Sequence, residues 1–373
     1  MNTDGGFLIR QGRKILACLM GVMCALSGIA CAQPAHRAST ADAGSLLRRD
    51  NLVAWEVNYL IDGKPQGPEA RAQLLKRLGF KRYAFLQDAT HPVRHVVNVD
   101  TEIEALKRNG IELYAWYFKL DGDSAADDPA VKASLEAFKR HAVRPQIWVS
   151  QSFYYEPKTK EALENAYPKV SGHIASLPEA EQEQWFQARN RIDADLAHFP
   201  KTLKEQEERL ERESARISAL AKLAGAYGLT VQLYNHKGWF GIMDNQLALI
   251  DRLKTQGVNN VGIVYNFWHA RDALHDDTKH FPEVWEKIKS HVSAVNITGV
   301  RGELETLFPS QGDHELAMLR TIQESGWNGP VGVLVAWHYQ DAPGALKNIL
   351  TGCDWLAAEL ERPGSGGQRP RLQ

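Results

Sequence analysis

Two neighbouring stretches decide how this chain is read: LTVQLYNHKGWF at residues 229–240 and NVGIVYNFWHA at residues 260–270. Each is an apolar run of strand length whose carboxyl end turns polar and is followed by a histidine. Between them, Leu249, Ile250 and Leu253 form one stripe that stops before Gly257, which reads as an amphipathic helix with a glycine end. A strand, a helix and a second strand in that order form the βα repeat of a parallel sheet.

The same alternation continues outward in both directions. Further strands are expected at 53–59, 82–86, 111–118 and 145–150, and beyond the central pair at 293–297 and 330–337. Helices fall between them. One carries Ile103 and Leu106 ahead of Asn109-Gly110, and another carries Leu316, Leu319 and Ile322 ahead of Gly326. Eight repeats of near-continuous apolar strands predict an α/β fold: a closed (β/α)₈ barrel, one domain over residues 51–360. An open doubly wound sheet is the alternative, but no Gly-x-Gly-x-x-Gly turn follows the first strand. Residues 154–200 break the repeat as a long helical excursion after strand four. They lead through Pro200 into a charged helix with Leu203, Leu210 and Ile217 at heptad spacing. This excursion either packs along the barrel wall or serves as a lid or subunit contact at the mouth.

The chain ends read differently. Arg10, Arg13 and Lys14 precede the apolar run from Ile15 to Ala30, which is short for a membrane span, and Ala30-Cys31-Ala32 fits a small-x-small cleavage site. Residues 1–32 are therefore expected to be a signal peptide cut after Ala32, giving a periplasmic or secreted protein. The alternatives are an uncut anchor or a lipoprotein tethered at Cys31. Residues 33–50 read as a linker and 361–373 as a disordered tail. Cys18, Cys24 and Cys31 lie in or beside the signal, so Cys353 alone remains, excluding an intramolecular disulfide and a cysteine metal cage. A net charge of −1 provides no basic field for nucleic acid.

In a barrel of this type chemistry gathers at the carboxyl ends of the strands. Those ends carry Glu56 and Asn58 on strand one, and Gln232 through His236 on strand five. Strand six ends in Asn266, Trp268 and His269, strand seven in Asn296, and strand eight in Trp337 and His338. Strand alternation places His236 on the same side as Gln232, and His338 on the same side as Ala336. Glu56, His236, His269 and His338 are the candidate catalytic residues. Each His has a bland reading as a hydrogen-bonded strand cap, and Glu56 as an ion-pair partner across the mouth. Asn58, Gln232, Asn266 and Asn296 are candidate substrate contacts. Trp239, Trp268 and Trp337 are either core filler or platforms for a sugar ring.

The order LYNH, VGIVYNFWHA, VNITG and VGVLVAW, with LLKRLGF and IEALKRNGIELYAW before it, resembles the sugar phosphate isomerase/epimerases of the xylose isomerase-like barrel family, over about residues 51–360. The resemblance implies proton transfer beside a sugar carbonyl. It also implies a divalent ion held by Glu, Asp, His and Glu on strands five to eight. Those places fall on Gln232, Asn266, Asn296 and Ala336, so the family's carboxylate set is absent from this chain. Two arrangements remain open. His236, His269 and His338 could bind a softer ion such as zinc. Alternatively the protein works without metal, with His236 or Glu56 as base, another His as acid, and Asn266 and Asn296 hydrogen-bonding the enediolate. Asn296-Ile297-Thr298 matches a glycosylation pattern but falls in an expected buried strand. Arg301 lies in a turn that is no phosphate cradle, so an unphosphorylated small-molecule carbohydrate is the expected ligand. The rival readings are a carbohydrate-binding barrel that has lost its ion site and, behind it, a glycoside hydrolase, which needs a facing carboxylate pair.

Overall fold

A computed structural model describes residues 46–57, 60–61, 64–87, 98–120, 125–151, 178, 182, 200, 202–236, 238–269, 274, 278–301, 305–335 and 342–372. Eight parallel strands close into a barrel: β1 (Leu52–Trp55), β2 (Arg82–Gln87), β3 (Glu112–Leu120), β4 (Gln146–Gln151), β5 (Val231–Tyr234), β6 (Val261–Asn266), β7 (Val292–Ile297) and β8 (Val331–Leu334). They neighbour one another in chain order, and β1 pairs with both β2 and β8 to complete the ring. The helices are α1 (Pro68–Arg77), α2 (Val99–Arg108), α3 (Pro129–Arg140), α4 (Leu203–Ala226), α5 (Met243–Thr255), α6 (Phe281–Ile288), α7 (Glu315–Glu324) and α8 (Ala342–Glu361). This is the expected (β/α)₈ architecture.

Side-chain alternation along the strands builds two separate cores. Residues of one parity, including Val53, Trp55, Trp148, Tyr234 and Val264, fill the barrel. Those of the other parity, such as Leu52, Ile147, Leu233 and Ile263, meet the helices. The helices dock by the stripes the sequence displays: Ile103 and Leu106 on α2, Leu249, Ile250 and Leu253 on α5, and Leu319 and Ile322 on α7 are all buried. Asn98 caps α2 by accepting from the amides of Asp100 and Thr101, and Thr202 with Glu205 forms a capping box on α4.

Three expectations are corrected, and one pattern is refined. Of the Leu203, Leu210, Ile217 heptad set only Ile217 is buried, and Leu203 is 90% exposed. The buried face of α4 instead uses Ile217 and Leu220 with the small residues Ser214, Ser218, Ala221 and Ala224, which let the helix sit close to the barrel. The linker ends early: Leu46 and Leu47 join the core, and Asn51 donates to the carbonyls of Leu46 and Gly329. The tail folds back along α8. The amides of Gly364 and Gly366 donate to Glu359, Arg369 donates to the Gly312 carbonyl at 3.1 Å, and Gln311 donates to the Pro370 carbonyl at 2.8 Å. Finally, strands one and eight stop at Trp55 and Leu334, short of the expected 59 and 337. Glu56 takes φ 54°, which turns the chain out of the ladder.

Residues 1–32, most of the linker and nearly all of 154–200 lie outside the described residues, with the export and excursion readings placed on them. No helix among the described residues is long and apolar enough to cross a membrane.

Candidate active site

The polar groups of the barrel interior converge on the Tyr234 hydroxyl, at the carboxyl end of β5. The Trp55 indole donates to it at 3.3 Å, and the side-chain amide of Asn266 on β6 donates to it as well. Burial pushes the phenol pKa up to about 12, although the hydrogen bonds from Asn266 and Trp55 act the other way. The ring packs among Trp55, Tyr117 and Trp148, so the floor of the site is aromatic.

Above this floor both strand ends turn sharply. At β5 the His236 amide donates back to the Tyr234 carbonyl at 2.7 Å, and the chain leaves the sheet at Asn235. Asn235 is fully buried, and its side chain accepts from the backbone amide of Asn266 at 2.6 Å and donates to the Asn266 carbonyl at 3.0 Å. At β6 the Asn266 side chain accepts from the Trp268 amide at 2.8 Å, an Asx turn that starts a short helical turn. These two turns bring the rings of His236 and His269 to 4.3 Å between centroids. His269 is buried, with Trp268 at 4.8 Å and Tyr234 at 5.8 Å, whereas His236 is half-buried.

The remaining candidates sort by position. Glu56 ends β1 in the left-handed region, and its charge acts on the hydroxyls of Tyr234 inside the barrel and Tyr83 outside it. It reaches the same centre electrostatically. Gln232 and Asn296 point into the barrel, where the Gln232 Oε1 is buried without a hydrogen-bond partner and the buried Asn296 amide lies against the Tyr234 hydroxyl, whose pKa it lowers. Both side chains lie against glycine: a Cβ on Gly262 would stand 2.4 Å from Gln232 Oε1, and one on Gly332 would stand 1.8 Å from Asn296 Oδ1. Asn266 uses both amide atoms within the protein, one hydrogen bond at each. Of the two readings of Trp239, core filler or platform, the structure has it in the core. It is 1% exposed, donates to Gln206, and lies under the Arg209 guanidinium at 4.9 Å. Trp268, half-buried at the rim, keeps the position a platform needs. Asn58, Trp337 and His338 lie outside the described residues.

Two residues of this candidate site are not singled out by the sequence. Tyr234 shares the inward parity of Gln232, and Asn235 is an Asn at a strand-to-turn step. Both signals were present, but side-chain pairing to a neighbouring strand has no signature in one sequence.

A model of the xylose isomerase-like TIM barrel matches residues 102–359, spanning strands three to eight and the strand ends that carry Tyr234, His236, Asn266 and His269. The chain belongs to that family. No curated relative matches it in sequence. Among solved structures it resembles three barrels that it spans almost completely. One is a D-allulose 3-epimerase from Methylomonas sp., at 12% identity and TM-score 0.51, covering 83% of this chain and 98% of that one. Another is the IOLI protein solved with a zinc atom, at 13% and 0.52, covering 83% and 99%. The third is a xylose isomerase domain protein from Salmonella typhimurium LT2, at 12% and 0.53, covering 84% and 98%. At such identities the likeness is one of fold.

The divalent ion implied by the family does not fit the residues present. Gln232 donates to the Thr230 hydroxyl toward the amino end of β5, Asn266 is committed to Tyr234 and Trp268, and Asn296 lies on the face of Gly332. Three neutral amides, two of them beside a phenol hydroxyl, offer Mg²⁺ or Mn²⁺ none of the charged oxygen ligands it prefers. Among the described residues no group of three His, Cys, Asp or Glu is placed to hold a metal ion. Two imidazoles sharing a tetrahedral zinc at about 2.0 Å hold their centroids roughly 5 Å apart. The 4.3 Å separation and 40° tilt of His236 and His269 are closer to stacking.

Proposed function

We propose that the protein is an exported enzyme that isomerises or epimerises an unphosphorylated carbohydrate or keto-sugar by moving a proton beside its carbonyl. The observation that carries the reading is the His236–His269 pair on adjacent strand ends, at the face where barrels of this family place their chemistry. Two imidazoles in contact can work as a proton donor and a proton acceptor, the pairing that acid–base catalysis requires.

In this reading half-buried His236 takes the proton from the carbon next to the carbonyl. The C–H electron pair becomes the C=C bond of an enediol while the carbonyl π pair moves to oxygen, which is protonated by His269. Return of the proton to the former carbonyl carbon, while the hydroxyl on the carbon first deprotonated gives its proton to His269 and becomes the new carbonyl, gives isomerisation. Delivery of a proton to the opposite face of the first carbon by a second group such as Glu56, while the enediol hydroxyl gives its proton back to His269, gives epimerisation. Glu56 is the alternative base. The Asn296 amide, buried beside the Tyr234 hydroxyl, is the group assigned to hydrogen-bond the developing enediolate. Trp268 supports an apolar sugar face. Export rests on the basic, then apolar, N-terminal segment ending at Ala32, and N-terminal sequencing of the mature protein reads the cut directly.

A second reading has one observation in its favour. Aromatic and amide groups fill the family's ion position, as expected of a barrel that only binds carbohydrate. Proton–deuterium exchange across a panel of keto-sugars separates the two. An enzyme exchanges label at one carbon beside the carbonyl, while a binding module shows saturable binding with no exchange at any carbon.

A further inference from the structure

We propose that Asn235 is a positioning residue: its side chain takes the place of a missing peptide in the β5–β6 ladder, and this substitution sets the His236–His269 contact. The proposal rests on the reading of that pair as the reacting groups, but its geometric part stands apart from any substrate.

Regular pairing of β5 with β6 ends at Tyr234 opposite Val264. One step further, the β5 backbone has already turned, because the His236 amide is bonded to the Tyr234 carbonyl. The Asn266 amide and carbonyl, both buried, would then lose their partners on that side. The Asn235 carboxamide supplies an acceptor and a donor in the same arrangement a peptide would offer, at 2.6 Å and 3.0 Å. The backbone is thereby free to carry His236 out of the sheet while the two strand ends stay clamped together. The clamp holds Asn266, whose own side chain starts the turn to His269. One carboxamide therefore fixes both turns. Asp lacks the donor, and Ser lacks the reach to bond both groups.

The turn is held from its other side too. A Cβ on Gly241 would lie 2.0 Å from the His236 carbonyl oxygen, so the Trp239–Gly241 turn abuts that backbone. Gln246 and Asn245 at the start of α5 donate to the carbonyls of Phe240 and Trp239. His236 thus sits between a clamp from β6 and a brace from α5.

The test is an NMR measurement on deuterated full-length protein with protonated histidine rings, assigned with His236→Gln and His269→Gln. The wild-type chain is expected to show a cross-peak between the two rings. Asn235→Ala and the isosteric Asn235→Asp are expected to lose it while keeping a native circular dichroism spectrum. Asn235→Asp keeps the shape and the acceptor, so it provides the reading if the alanine variant does not fold. A cross-peak of wild-type intensity in either folded variant overturns the proposal, as does its absence from the wild type. On any substrate that shows exchange, Asn235→Asp is expected to cost about 10²-fold in kcat with KM retained, the loss typical of a misplaced reacting group. Absence of exchange in the wild type would count against the proposed function and leave the cross-peak result untouched.

Discussion

At the scale of single residues, Glu56 joins backbone strain to the site. It is a non-glycine residue at φ 54°, a conformation that costs an L side chain about 1–2 kcal/mol, and it lies where the first strand opens to the mouth. Strain kept at such a place points to a side chain needed there. Glu56→Gly is therefore expected to leave the thermal midpoint unchanged or higher, since glycine adopts that backbone freely, while exchange on an accepted keto-sugar falls. A melt and an exchange assay on the same preparation check both halves. A clear loss of stability together with full exchange would make Glu56 a structural residue. The carboxylate was legible in the sequence as a strand-end acid, but the strain was not, because a dihedral angle leaves no mark on composition or spacing.

Elements carry the next level of explanation. The βα repeat was legible because burial on both faces makes parallel strands uniformly apolar, and helical stripes such as Leu249, Ile250 and Leu253 have one solution against such a sheet. Strand ends were less legible. The ladder stops where a side chain or a left-handed residue intervenes, as at Asn235 and Glu56, and hydrophobicity does not register either event. The choice between core and platform at Trp239 is illegible for a related reason. Its indole is covered by Gln206 and Arg209 of α4, a helix about thirty residues earlier whose docking no local pattern reveals. The brace formed by the Trp239–Gly241 turn gives a prediction at this scale. In Gly241→Ala the new methyl meets the His236 carbonyl, so His236 must shift. Exchange is expected to fall by about tenfold or more, with a stability loss of about 1–3 kcal/mol from overpacking. Steady-state kinetics beside urea unfolding measures the two effects, and unaltered kinetics would show that the brace does not set the ring.

At the scale of the whole molecule, the ion pair that joins Asp100 in the first turn of α2 to Arg140 and His141 at the end of α3 ties two neighbouring helices together. The Asp100 carboxyl is held below its ordinary range, first by the Arg140 guanidinium, which bonds both its oxygens at 2.8 Å, and then by His141. A carboxylate with a lowered folded-state pKa contributes stability above its unfolded value of about 3.9, and that contribution is lost as pH falls through the folded value. Asp100→Asn is thus expected to lower the melting temperature at pH 7, with the gap to wild type closing below about pH 3.9. A gap that stays constant from pH 7 to pH 3 would rule out the ionised pair as its source. At the mouth the account makes its central claim: two neighbouring strands end so that His236 and His269 act as one proton-handling unit. A double-mutant cycle tests this most directly, with deuterium exchange into a responsive keto-sugar measured for the wild type, His236→Ala, His269→Ala and the double variant. The account predicts that each single variant loses nearly as much as the double, because groups that act as a unit are strongly non-additive. Losses that simply multiply, or full exchange in either single variant, would contradict it.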